Sequence, residues 1–292
     1  MLELRGVSYR YAGYAKSVLH DVDLTLADSR IVGLVGANES GKSTLCLVAS
    51  GLAPGSIGGQ VTTGGLFIDG QPMAGRPLHE FATRVAIGFQ TPATQLSGVT
   101  GSVFEEVALG PMNLGLPVPE TMERTREALR VLGITELAER EPRRLSGGQA
   151  QLVVIASLLA MRPAHLLLDE PTAQLDPHGT QLVGAALRDL AATGTAMLIV
   201  EHKTDLLEQL CDEVVALDEG RVFASGSTDD VLGDERLEVW GVEPPARVRL
   251  LRGLASLSVP DRRREDVLGV IAPSLQPLRA SAEGMMQAGR PA

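Results

Sequence analysis

An apolar run at positions 30–35 ends abruptly in Gly36-Ala37-Asn38-Glu39-Ser40-Gly41-Lys42-Ser43-Thr44, and a second apolar stretch, 44–50, follows at once. The stretch from Gly36 fits G-x-x-x-x-G-K-[ST] between an expected strand and an expected helix, the context in which that pattern has a mechanism. Several backbone N–H groups must converge on one phosphate chain, so glycine is needed at both ends of the loop. The helix N-terminus adds its partial positive charge. Lys42 supplies a full charge to the β/γ-phosphates, and Ser43 offers a hydroxyl to Mg²⁺. The loop alone points to a nucleoside triphosphatase.

Later strands must then lie beside this one, and the pattern supplies them. Residues 2–26 alternate as strands do, 66–68 lead into the turn Asp69-Gly70, and 84–89 read as another strand. From about 91 to 161 the character is helical, with clear helices at 119–132 and 152–161. Strands return at 165–168, 196–200, 213–217 and 221–224, with a helix at 182–190. This alternation predicts a three-layer α/β core with a mainly parallel sheet, an antiparallel portion at the N-terminus and a helical insertion. The tail from about 229 is rich in Gly, Pro and Arg, carries Arg262-Arg263-Arg264, and its last dozen residues read as disordered.

Bulk properties remove some classes. The chain of 292 residues has a formal net charge of -10 and a pI near 5.1, which argues against a nucleic-acid binder. Cys46 and Cys211 are far apart, form no C-x-x-C pair, and read as buried thiols rather than zinc ligands. No uncharged apolar run approaches the ~20 residues that span a bilayer, so a membrane role is expected to work through partners. No signal-peptide pattern opens the chain.

Two further segments carry chemistry. Leu166-Leu167-Leu168-Asp169-Glu170 is an apolar strand ending in two carboxylates that diverge in space. Asp169 is expected to hold the Mg²⁺ shell and Glu170 to orient and polarise an attacking water. In Leu145-Ser146-Gly147-Gly148-Gln149, Ser146 and Gln149 form an S-x-x-Q capping box. Two glycines in a first helical turn weaken it, and make sense if something, an anion by preference, approaches the backbone closely.

Together these motifs resemble the ATP-binding subunits of ABC transporters, over residues 2–232. The resemblance implies a P-loop, RecA-like α/β core with an N-terminal antiparallel β-subdomain and an inserted helical subdomain at about 91–161, followed by a partly helical extension, 233–292. It implies an ATPase that uses ATP and Mg²⁺. Ser146, Gly147, Gly148 and Gln149 would complete the ATP site of a second ATPase subunit, identical or paralogous, because this chain carries one phosphate loop and one such signature. Tyr11 is placed like the aromatic that stacks on adenine, with local strand packing as the other reading. Gln90 resembles the glutamine that senses Mg²⁺ and couples to the membrane subunit, His202 the histidine that contacts the γ-phosphate, and Asp176 the loop linking the two sites. Glu39 replaces the more usual Gly, Leu152 an Arg, and Ala173 a Ser; none removes a residue that performs the chemistry.

Gln90-Thr91-Pro92-Ala93-Thr94-Gln95-Leu96 resembles the Q-loop of energy-coupling-factor ATPases, although Gln95 also reads as an ordinary polar residue at a helix start. That branch implies import energised at the cytoplasmic face of the membrane, with a transmembrane T-component and a substrate-binding S-component. The rival class is a soluble ABC ATPase that works on nucleic acid or as a regulatory module. Its long coiled coils and cysteine pairs are missing between Lys42 and Asp169.

Overall fold

The structure, a computed structural model, describes residues 1–256. Its strands in chain order are β1 (Leu2–Arg10), β2 (Leu19–Leu26), β3 (Ile31–Val35), β4 (Gln60–Ile68), β5 (Gln71–Pro72), β6 (Val85–Gly88), β7 (His165–Asp169), β8 (Ala196–Val200), β9 (Glu213–Asp218) and β10 (Arg221–Gly226). The helices are α1 (Lys42–Ala49), α2 (Leu52–Gly55), α3 (Leu78–Ala82), α4 (Val103–Asn113), α5 (Val118–Val131), α6 (Gly147–Met161), α7 (Pro177–Ala192), α8 (Thr204–Leu210), α9 (Thr228–Leu232), α10 (Arg236–Val239) and α11 (Ala246–Ser256).

One sheet runs β2-β1-β4-β5 and is antiparallel throughout. Strands β1 and β2 largely alternate buried and exposed residues, as a sheet covered on one face requires. The second sheet has the order β10-β9-β3-β8-β7-β6, parallel except for β10. All five residues of β3, β7 and β8 are buried, which follows from cover on both faces. In β3, Ile31 and Val35 join the apolar cluster on the helical side, while Val32 and Leu34 join the cluster shared with β1, β2 and α1. The three-layer arrangement expected from the pattern is therefore present, with the antiparallel sheet at the N-terminus and α4, α5 and α6 packed together as the insertion.

Element ends differ from the sequence reading for identifiable reasons. Helix α6 starts at Gly147 instead of 152, because the reciprocal Ser146–Gln149 capping box carries it through the glycines. Helix α4 is legible only as general helical character, since Gly110 and Pro111 read as breakers; Ser102 caps it by accepting from Glu105 N. Helix α7 begins at Pro177, not 182, with Asp176 as its cap. Strand β4 reaches back to Gln60 through Gly64 and Gly65, well before the expected 66. Cys46 and Cys211 are both buried in the two apolar clusters.

Beyond β10, Leu237 and Val242 enter the same cluster as Val231 and Leu232, and Trp240 meets Phe223 edge to face at 4.6 Å. Helix α11 is moored by the N–H of Ala246, which donates to Asp205, and by Arg247, which pairs with Glu208 at 2.8 Å. The Arg262–Arg264 run and the last dozen residues lie outside the described residues. Among the described residues no helix is long and apolar enough to cross a membrane.

This topology fixes where chemistry is possible. The C-terminal ends of β3, β6, β7 and β8 lie side by side on one edge of the parallel sheet, and the chain leaves each as a loop. The loop after β3 carries Gly36 to Gly41 into the start of α1 with Lys42, Ser43 and Thr44, β7 ends in Asp169 with Glu170 just beyond it, and the loops after β6 and β8 carry Gln90 and His202.

Candidate active site

The loop after β3 is built by close approach. A Cβ on Gly36 would sit 2.1 Å from the carbonyl oxygen of Leu217 in β9, and φ there is 153°, so only glycine fits. Gly41, at φ 103°, starts α1 against Leu19 and Val18. Ser40 N–H donates to the Ala37 carbonyl at 3.2 Å, and the Ser40 carbonyl accepts from Gly220 N–H at 2.9 Å, which ties the loop to the β9–β10 turn. Glu39 is exposed at φ 64°, a left-handed position that favours glycine and that keeps the residue at the surface. Asn38 is exposed beside it, while Ala37 is half-buried.

Lys42 folds back over its own loop. Only 7% exposed, it donates from Nζ to the carbonyls of Gly36 at 2.9 Å and Ala37 at 2.6 Å. Burial lowers its pKa, opposed by Glu170 and then Asp169. Asp169 shows the mirror effect: burial raises its pKa, the adjacent Ser43 hydroxyl lowers it, Glu170 raises it, and Lys42 and His202 lower it. The site thus holds opposed charges in a poorly hydrated edge, where each is felt strongly.

Glu170 is held from both sides. Gln90, from the loop after β6, donates Nε2 to its Oε2 at 2.7 Å, and His202, from the loop after β8, lies 3.1 Å from its Oε1 through Nε2. Glu170 itself adopts φ 50°, a strained position for a non-glycine residue that aims the side chain out of the sheet edge, and its N–H donates to Val200. Tyr11 joins at the other end: its hydroxyl and that of Thr44 share a hydrogen bond of 3.0 Å, and its ring stands edge to face against Tyr9 and Tyr14.

Gln95 is more than a polar residue at a helix start. Its Oε1 accepts from Phe89 N–H at 2.7 Å and its Nε2 donates to the Ile87 carbonyl at 2.9 Å, so its carboxamide continues the β6 edge just ahead of Gln90.

The structure gathers Lys42, Ser43, Gln90, Asp169, Glu170 and His202 into one site. Ser146, Gly147, Gly148 and Gln149 do not join it. Ser146 N–H donates to Gln149 Oε1 at 3.1 Å, Gln149 N–H to Ser146 Oγ at 3.3 Å, and Ser146 and Gly147 stay exposed. Asp176 caps α7, accepting from Gly179 N–H at 2.7 Å. Gly147 also has an in-chain reason to be glycine, for a Cβ there would lie 2.4 Å from Gln174 Oε1. Ser43, Asp169 and Gln90 present hydroxyl, carboxylate and carboxamide oxygens, the hard donor set that suits Mg²⁺, with the first two already adjacent. The pattern reading passed over Glu201, a buried carboxylate between β8 and His202; its signal was a single acid following five apolar strand residues.

Comparison with known proteins finds relatives over most of the chain. Residues 19–173 match the model of the family described as ABC transporter. A Pyrococcus abyssi protein, provisionally named an ABC transporter ATP-binding protein, is 37% identical over 94% of this chain and 99% of its own length. The energy-coupling factor transporter ATP-binding protein EcfA2 of Caldanaerobacter subterraneus is 35% identical over 89% of this chain and 91% of its own. Among solved structures, cbiO1 from Clostridium perfringens, part of the ABC transporter complex cbiONQ, superposes with a TM-score of 0.70 at 29% identity, covering 86% of this chain and 98% of that one.

Proposed function

The chain belongs to the ABC transporter family as an ATP-binding, ATP-hydrolysing subunit, and from that premise we propose that it energises import by an energy-coupling-factor type complex. The observation that carries the catalytic reading is the convergence of Gln90 and His202 on the two oxygens of Glu170, beside the buried Lys42. Two features support the subtype: the Gln95 carboxamide pinned to the backbone of Ile87 and Phe89 at the end of β6, just ahead of Gln90, and the names carried by EcfA2 and cbiO1.

Lys42 exchanges the carbonyls of Gly36 and Ala37 for β/γ-phosphate oxygens, and the loop N–H groups and the start of α1 take the rest of the charge. Tyr11, tied to α1 through Thr44, carries the adenine. Ser43, Asp169 and Gln90 are the residues that would hold Mg²⁺, which when bound neutralises charge on the phosphate oxygens. Glu170 accepts a hydrogen bond from the attacking water and aligns it with the γ-phosphorus; Gln90 fixes one of its oxygens and His202 the other. His202, 46% exposed at its side chain, is placed to turn toward the γ-phosphate.

Ser146 and Gly147, which are exposed, together with Gly148 and Gln149 close the ATP site of a second ATPase subunit, identical or paralogous, and Asp176 lies at the link between the two sites. The cassette spans residues 1–232 and the extension 233–292. A T-component docks by the Q-loop near Gln90, an S-component supplies the substrate, and the subunit works at the cytoplasmic face without nucleic acid as partner. The test is co-purification from membranes. A small, very hydrophobic substrate-binding protein accompanying this chain supports the proposal, and a stable complex with two large permease subunits and no such protein overturns it.

A further inference from the structure

Strand β8 delivers Glu201 into the interior, 3% exposed and one residue before His202. A buried carboxylate is unfavourable unless donors surround it. Here four do, and they come from two different loops. Oε1 accepts from the N–H of Thr172 at 3.0 Å and from the Thr172 hydroxyl. Oε2 accepts from the N–H of His202 at 3.1 Å and of Lys203 at 3.3 Å. Lys203 then returns to the first loop, its Nζ donating to the Thr172 carbonyl at 2.8 Å and to the Thr180 hydroxyl of α7 at 3.2 Å.

We propose that Glu201 is a positioning residue for hydrolysis, yoking the loop that carries Glu170 to the loop that carries His202. Thr172 lies two residues after Glu170 and only Pro171 separates them, so holding the N–H and hydroxyl of Thr172 holds the strained Glu170 backbone. The other oxygen fixes the backbone of His202 itself. The 3.1 Å approach of His202 to Glu170 is then set by the yoke, independently of the weak contact between two partly exposed side chains. Lys203 extends the same frame to α7, the helix that Asp176 caps. Carboxylate chemistry matters here because all four partners are donors; a carboxamide would turn an NH₂ against the donors of one loop.

The proposal rests on the reading of Glu170 and His202 given above, and the experiment separates the two. In the full-length chain, Glu201→Gln is expected to lower kcat for ATP on the order of 100-fold, with nucleotide affinity at the Lys42 loop unchanged. In a His202→Ala background the same change is expected to cost much less than it does alone, because the approach of His202 to Glu170 that the yoke sets is already lost. Amide hydrogen exchange is expected to quicken together at residues 170–173 and 201–204, with α1 and α6 unaffected. Thr172→Val, which removes one donor and leaves the carboxylate in place, carries the same test in milder form should Glu201→Gln not fold. An unchanged kcat, costs that simply add, or faster exchange confined to residues 201–204 would overturn the yoke. A parallel Glu170→Gln control that keeps turning over would overturn the catalytic reading beneath it, and the exchange data would still decide the yoke.

Discussion

Glu170 and Lys42 sit in environments unlike those of ordinary surface charges, one clamped between Gln90 and His202 and the other buried against its own loop, and each has a measurable consequence. Glu170→Gln keeps the shape of the site but removes the carboxylate proposed above to align water; turnover should fall by a factor on the order of 100 to 10,000 while ATP binding persists. Single-turnover hydrolysis set beside equilibrium nucleotide binding checks this, and near wild-type turnover rules out the role. Lys42→Ala should abolish binding or turnover outright. The wild-type lysine also predicts a pH dependence, because burial holds its pKa below 10.5. Nucleotide affinity of the free protein should weaken on the alkaline side before an ordinary lysine would deprotonate. The same shift makes the folded chain bind fewer protons than the unfolded one between the lowered pKa and 10.5, so this group's contribution to stability rises with pH across that window. Binding of a fluorescent nucleotide from pH 8 to 10.5 tests the first statement, and Lys42→Arg should remove the bend. These residues were legible because their chemistry demands fixed spacing. Glu201 was not, since four donors from two loops meet only after β7 and β8 pair.

Strand β7 shows what an element adds. Its C-terminal end carries Asp169 to the site, while its N-terminal end carries His165, 1% exposed and outside the chemistry. Burial, first, and then the N-terminal ammonium depress the pKa of His165 below 6.5, against the opposing pull of Asp69 and Asp28. The unfolded chain therefore takes up this proton first as pH falls through 6.5, and stability is lost on acidification, by at most about 1.4 kcal/mol per pH unit for one proton. Thermal melts between pH 7 and pH 5 should show a drop that His165→Phe flattens; an unchanged slope in that variant refutes the assignment. At α6 the expected loss is smaller: Ser146→Ala removes one half of the capping box and should cost about 1 kcal/mol. Parallel strands read clearly from sequence because cover on both faces makes them continuously apolar. Helix α4 did not, because Gly110 and Pro111 are tolerated inside it by packing against α5 and α6 that no local pattern reveals.

At the scale of the whole molecule, the site is asymmetric. The loop of Lys42, the carboxylates and His202 converge, yet Ser146 and Gly147 face solvent with hydrogen bonds only inside their own turn. A capped helix N-terminus with an exposed glycine suits an anion, and in the function proposed above that anion is the ATP of another subunit. If two copies of this chain suffice, each copy lends its signature and receives the other's. A Lys42→Ala chain has a sound signature and no working loop; a Gly148→Asp chain has the reverse, since the added side chain would press on the Gln174 carbonyl, 3.1 Å from its Cβ, and place negative charge against phosphate. Either variant alone should be inactive. Mixed in equal amounts, half the dimers would be mixed and each would hold one complete site of two, so about a quarter of wild-type turnover should return. Recovery near that fraction, rising with total protein concentration, establishes exchange of signatures between identical copies. Absence of recovery, with both variants folded and the Gly148→Asp chain still binding nucleotide, assigns the second signature to a paralogous subunit instead.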